Sequence, residues 1–133
     1  MNIQEFRVGN IVSFVLPNTP VEVTGVYDDF ICTAQIRNVD YFNAERGVED
    51  FNPVNLTDDW LEVMGLQNHS GMFSLPGADW YISSQRHGLI LNGHIFICQI
   101  QHVHQLQNII SSLFGLYLSP VLETFKQNIK VGE

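Results

Sequence analysis

The sequence predicts an α+β fold for one domain spanning residues 1–133: an N-terminal SH3-like (KOW-type) β-barrel, a short capped helix, a small antiparallel sheet and a C-terminal amphipathic helix. Three observations predict it. Short alternating apolar and polar runs separated by turn signals fill residues 8–36. An Asn-Gly pair stands between two apolar runs at Asn92-Gly93. Apolar residues recur at steps of three and four from His102 to about Tyr117.

The barrel-like part is expected over residues 1–52. Val8, Asn10, Val12 and Phe14 alternate along a first strand, which Pro17, Asn18 and Pro20 end. Val21 to Val26 reads as a second strand with a bulge or bend at Gly25, Asp28-Asp29 supplies a turn, and Phe30 to Ile36 reads as a third. Residues 37–52 are polar around Val39, Tyr41, Phe42 and Phe51, the pattern of a loop or hairpin with a few buried anchors.

Residues 53–133 carry the remaining elements. Thr57 precedes Asp58-Asp59-Trp60-Leu61, so its hydroxyl is placed to accept an orphan amide proton of a helix start, and the two acids suit the positive end of the helix dipole. Gly65 can close that helix in a left-handed conformation, and Trp60, Leu61 and Met64 should lie on the barrel. Met72 to Leu75, Trp80 to Ser83, Leu89 to Leu91 and Ile95 to Cys98 read as strands. In the last helix Val103, Leu106, Ile110, Leu113 and Tyr117 form the apolar stripe, while His104, Gln105, Asn108, Ser111 and Ser112 face away. Ser119-Pro120 stops it, with Phe125 and Ile129 as further anchors.

Composition bounds the function. The net charge is −8, and residues 1–66 hold eleven of the fourteen acids against Arg7, Arg37 and Arg46. That excess repels phosphate backbones, which argues against direct nucleic-acid binding. It suits either a solubilising face or a dock for a basic protein partner. No run approaches the roughly 20 apolar residues of a membrane helix, and the amino terminus lacks a basic segment followed by an apolar stretch, so a cytoplasmic location is expected. Cys32 and Cys98 lie in apolar runs and read as reduced core thiols rather than a disulfide framework.

No catalytic constellation emerges. His69, His87, His94, His102 and His104 match no familiar metal spacing, and rings two residues apart diverge by about 200° on a helix. There is no nucleophile elbow and no Gly-rich phosphate loop, and the cysteines sit in apolar runs rather than beside the cationic groups that activate a thiol. The paired carboxylates at Asp28-Asp29, Glu49-Asp50 and Asp58-Asp59 suit turns and first helical turns. The sequence therefore predicts a chain that is not an enzyme and carries no cofactor or metal.

Three phrases carry a resemblance: "RVGNIV" at Arg7 to Val12 followed by "VEVTGV" at Val21 to Val26, "NPVNLTDDWLEVMGL" at Asn52 to Leu66, and "VHQLQN" at Val103 to Asn108. In this order they resemble a family of small uncharacterised proteins of gut Bacteroidetes and their phages and mobile elements. Such proteins continue the last helix with Thr-Gly where Phe114-Gly115 stands here, so the end of that helix is expected to differ. The resemblance implies a bacterial or phage origin and a similar fold, and no activity travels with it.

The candidate binding residues follow from these readings. In "VHQLQN", Val103 and Leu106 point to the core and leave His104, Gln105, Gln107 and Asn108 as a polar ridge suited to recognition. Trp60, Trp80 and Tyr81 are candidates for an aromatic groove. The leading expectation is a protein-protein interaction module acting through the acidic half or the ridge. The alternatives are a small-molecule (nucleotide or metabolite) binder acting as sponge or sensor, and an acidic mimic of nucleic acid.

Overall fold

A computed structural model describes residues 5–14, 20–27, 30–35, 44–47 and 50–120. The chain is α+β, with two five-stranded antiparallel sheets and two helices. The first sheet holds β1 (Ile11–Phe14), β2 (Pro20–Val26), β3 (Ile31–Gln35), β4 (Ala44–Arg46) and β5 (Phe51–Pro53) in the order β4-β3-β2-β1-β5. It is open: β4 and β5 are its two edges, and among the described residues no pairing joins them into a closed barrel. The bend expected at Gly25 is present as a register shift between Val23 and Gly25 on β3. The expected turn at Asp28-Asp29, the anchors Val39, Tyr41 and Phe42, and the anchors Phe125 and Ile129 lie outside the described residues.

The first strand begins later than the alternation suggested. Val8 is 67% exposed in a turn closed by Asn10 N–H donating to the Arg7 carbonyl at 3.0 Å, and pairing starts at Ile11. From there both faces of β1 are buried. Val12 packs with Phe6, Val21, Val23, Ile31 and Phe51, while Ile11 belongs to the larger core of the second half. A strand buried on both faces shows no useful alternation, which is why the period of two misplaced its start.

Helix α1 (Asp58–Val63) starts as expected, with Trp60 N–H donating to Thr57 Oγ1 at 3.3 Å. It ends in a Schellman motif: Leu66 N–H reaches the Leu61 carbonyl at 3.1 Å and Gly65 N–H the Glu62 carbonyl at 2.9 Å. Gly65 has φ 89, a conformation that costs a residue with a Cβ. Trp60, Leu61 and Met64 do not lie on a barrel. They join the larger core with Val54, Phe73, Ile82, Leu89 and Leu106.

The second sheet runs β10-β9-β8-β7-β6, a meander of β6 (Gln67–His69), β7 (Met72–Ser74), β8 (Trp80–Ser83), β9 (Gly88–Leu91) and β10 (Ile95–Gln99). Asn92 (φ 52) and Gly93 (φ 81) make the β9–β10 turn, the two positive φ values of a type I′ hairpin. Strand β6 carries no apolar alternation, because all three of its residues are exposed polar side chains, and the sequence reading missed it.

Helix α2 (Val103–Phe114) closes the core with Val103, Leu106 and Ile110, and Phe114 stacks on Trp80 at 5.5 Å. Its expected stripe is too long. Leu113 is 50% exposed, and Tyr117, 86% exposed, lies beyond the helix, which Gly115 ends at φ 68. Among the described residues no helix is long and apolar enough to cross a membrane.

Candidate functional site

The predicted ridge is not an exposed face. His104 and Gln107 are buried, Asn108 is half-buried and only Gln105 is exposed. The reason is that the turn and first strand residues of "RVGNIV" lie directly against the residues of "VHQLQN". Gln107 Oε1 accepts from Ile11 N–H at 2.8 Å, while its Nε2 donates to the Gly9 carbonyl at 2.8 Å and the Leu118 carbonyl at 3.0 Å. The side-chain amide thus takes the place of a neighbouring strand beside Gly9 and Ile11. Asn108 repeats the device: its Oδ1 accepts from Asn10 Nδ2 at 2.8 Å and its Nδ2 donates to the Glu5 carbonyl at 3.1 Å. Gln105 does a third task, accepting from the backbone N–H of Gln101 (3.2 Å) and His102 (3.1 Å) to cap α2. Three of the four candidate residues therefore hold the fold together.

His104 is different. Its side chain is 2% exposed, and neither ring nitrogen has a hydrogen-bond partner. The Glu5 carboxylate stands 3.8 Å from Nε2, too far for a hydrogen bond. Burial pushes the imidazole pKa down, as does the neighbouring His102, against a smaller upward pull from Glu5. His104 is accordingly neutral at pH 7, one nitrogen a donor and the other an acceptor. Leaving such groups buried and unpaired costs roughly 1–3 kcal/mol. The ring packs between Phe6 (6.4 Å) and His102 (5.8 Å). His102 is the extended N-cap residue, not a helical one, so the divergence expected of two helical residues does not apply to this pair.

His104 lines an open cleft of about 480 Å³ between the N-terminal segment, the end of β10 and the outer side of α2. Glu5 and Arg7 stand on one side, Cys98 and Ile100 on another, Ile109 and Leu113 on the third. Arg7 donates from Nη1 to Ser112 Oγ at 3.3 Å across the cleft. The aromatic candidates split. Trp60 is fully buried and lines no groove, whereas Trp80 and Tyr81 border a second groove of about 610 Å³ with Met72, Asp79 and Asn92.

A further cluster escaped the sequence reading. Asp58 accepts from Ser84 Oγ at 3.0 Å and pairs with His87 Nε2 at 3.1 Å. The serine bonds the carboxylate rather than the imidazole, and the cluster ties the 84–87 turn to the start of α1. Cys32 and Cys98 are free, partly buried thiols. Among the described residues no three His, Cys, Asp or Glu side chains come together as metal ligands. Comparison with protein-family models, curated proteins and solved structures finds no match for the chain.

Proposed function

We propose that this protein is a non-enzymatic protein-protein interaction module whose contact surface is strand β10, to which a partner adds an extended segment. The supporting observation is a contrast among the four sheet edges. Strand β4 carries Glu45 and Arg46, β5 is three residues long and ends in Pro53, and β6 is three polar residues. Each is a recognised means of discouraging edge pairing. Strand β10 is five residues, Ile95-Phe96-Ile97-Cys98-Gln99, with no charge and no proline, and its one such device is a register shift between Phe96 and Cys98. Ile95, Phe96 and Ile97 are all exposed, Phe96 by 60%. Its pairing with β9 uses one edge, and among the described residues no hydrogen bond reaches the other.

Phe96 extends the surface onto the outer face of the sheet. The register aligns it with Ile90 and Tyr81 in one cross-strand row, so the added segment would meet an apolar stripe beside the open backbone. This keeps Tyr81 among the binding residues and replaces the 104–108 ridge. The acidic half is a secondary candidate: Glu22, Asp50, Asp58, Asp59 and Glu62 are at least partly exposed, while Asp28, Asp29, Asp40 and Glu49 lie outside the described residues. The finer fold reading belongs to the same proposal. An order of β4-β3-β2-β1-β5 with a bent β2 is that of an SH3-like meander, which supports kinship with that class.

The test is comparative capture from a lysate of the cells that make the protein, with wild type and a Phe96→Lys, Ile97→Lys variant side by side. A partner held by the wild type and lost by the variant supports the edge. Equal recovery by both sinks it.

A further inference from the structure

We infer that the β10 edge takes a second copy of this chain, the two strands pairing antiparallel across a two-fold axis with the α2 helices flanking it. The inference rests on the reading of β10 as the contact edge and names its partner. Its ground is the distribution of charge. No Asp, Glu, Lys or Arg occurs between Arg86 and Glu123, so all fourteen acids and all six bases lie outside that stretch. The fold gathers the stretch into one region: β9 pairs with β10, and the end of β10 borders the same cleft as α2. A surface helix ordinarily carries charged residues on its outer face, yet the exposed residues of α2 are Gln105, Ser112 and Leu113.

That uncharged region selects the occupant. Two bodies of net charge −8 repel where their acidic surfaces meet, and β9, β10 and α2 form a face on which they can approach without that cost. A basic partner is drawn instead to the acids of residues 1–66. Depletion of charge at the centre is also the mark of homodimer interfaces. The strand is self-complementary: run antiparallel to itself, Ile95-Phe96-Ile97-Cys98-Gln99 sets Phe96 opposite Cys98 and Ile97 opposite its own copy. The register shift leaves Ile97 with no partner on β9, and it is 39% exposed. Five residues extend only about 17 Å, whereas a stable interface buries about 800 Å² from each copy. The α2 flank adds to the strand, because Ile109 and Leu113 line the same cleft as Cys98, Gln99 and Ile100.

The experiment is analytical ultracentrifugation of the full chain over about 1–200 μM, where a reversible monomer–dimer equilibrium with a Kd at or below about 100 μM is expected. Raising salt from about 50 to 500 mM should tighten the dimer, because salt screens the repulsion between the acidic bodies and the interface has no ion pair to lose. Ile97→Lys and Ile97→Glu should each weaken it about tenfold or more, and their equimolar mixture should recover it as a heterodimer, opposite charges then meeting across the axis. Leu113→Lys and Leu113→Glu, at a half-exposed position, repeat the exchange wherever an Ile97 variant does not fold. A monomer at every concentration, a dimer that salt weakens, or a dimer unmoved by charges at Ile97 and Leu113 overturns the self-pairing. None of these decides the edge reading, which fails only when the Phe96→Lys, Ile97→Lys variant captures as much from a lysate as the wild type. A monomer that captures a foreign protein through β10 keeps the edge and overturns the second copy.

Discussion

Gln107 and His104 stand three residues apart on α2, both nearly inaccessible to solvent and both polar, yet their surroundings are opposite. Gln107 makes three hydrogen bonds to main-chain groups of Gly9, Ile11 and Leu118, whereas the ring nitrogens of His104 make none. A buried amide with every bond made is a structural joint. A buried imidazole with no bond made is where the fold tolerates a cost. Residue type and burial do not distinguish the two. Hydrogen-bond satisfaction does.

The sharpest way to break this contrast is Gln107→Ala. It strands the Ile11 N–H and the Gly9 and Leu118 carbonyls, and each buried group left unpaired costs roughly 1–3 kcal/mol. Partial access of water at the half-exposed Gly9 moderates the sum, so a loss of about 3–5 kcal/mol is expected in urea unfolding. A loss below about 1 kcal/mol would mean that Gln107 is not a joint, and the comparison with His104 would lose its meaning.

The next comparison sets Leu106 against Leu113 on the same helix. Both fall on the apolar stripe, but only Leu106 is fully buried, and Leu113 is 50% exposed at the rim of the cleft. Leu106→Ala should cost about 2–5 kcal/mol, and Leu113→Ala under about 1 kcal/mol. Similar losses at both positions would place Leu113 in a core and close the cleft's apolar wall.

How much of this was legible follows from where side-chain period carries information. Thr57, Gly65, Gly25 and Asn92-Gly93 were readable because each is a local device set by one or two residues. Strand β6 was not, since Gln67, Asn68 and His69 are all exposed and show no period. Nor was the open sheet, because local alternation says which residues form strands and not whether the edges meet. The ridge failed for a different reason. Helical period separates apolar from polar residues, and it cannot tell a polar residue in water from one paired with another segment, as Gln107 is with Gly9 and Ile11, nearly a hundred positions away in the chain. The joint phrase "RVGN" and "HQLQN" contained the signal, since amides and a tight turn are what such a pairing requires.

Acid sensitivity sharpens the His104 side of the contrast. Its pKa lies below the ordinary imidazole value of about 6.5 because burial and His102 oppose the charge more than Glu5 favours it. Below that ordinary value the unfolded chain takes up a proton that the folded chain refuses. Stability therefore holds above pH 6.5 and falls as pH drops, by at most about 1.4 kcal/mol per pH unit for this one group. Glu22 has a raised pKa from burial and works in the opposite direction, since its protonation as pH falls favours the folded state. The comparison is therefore made between wild type and His104→Phe, both of which keep Glu22. The variant's stability should decline less steeply between pH 7 and pH 5, and parallel curves would show that His104 does not titrate as its surroundings require.

The smallest effect belongs to the start of α1, which shares no hydrogen bond with the joint or the cleft. Thr57 Oγ1 accepts from Trp60 N–H at 3.3 Å, a long bond, while the Thr57 carbonyl accepts from Leu61 N–H at 3.1 Å and survives any side-chain change. Thr57→Ala removes one acceptor from the first turn of a six-residue helix whose Trp60 and Leu61 are fully buried. Loss of such a cap costs about 0.5–2 kcal/mol, and the length of this bond places it near 1 kcal/mol or below. Thr57→Ser, which keeps the hydroxyl, should recover most of the loss. The His104 pH difference should be unchanged in the Thr57→Ala background, because sites without shared partners add. A serine variant as unstable as the alanine one would assign the Thr57 contribution to its methyl group, and a changed pH difference would mean that α1 and the cleft are coupled through the core they both border.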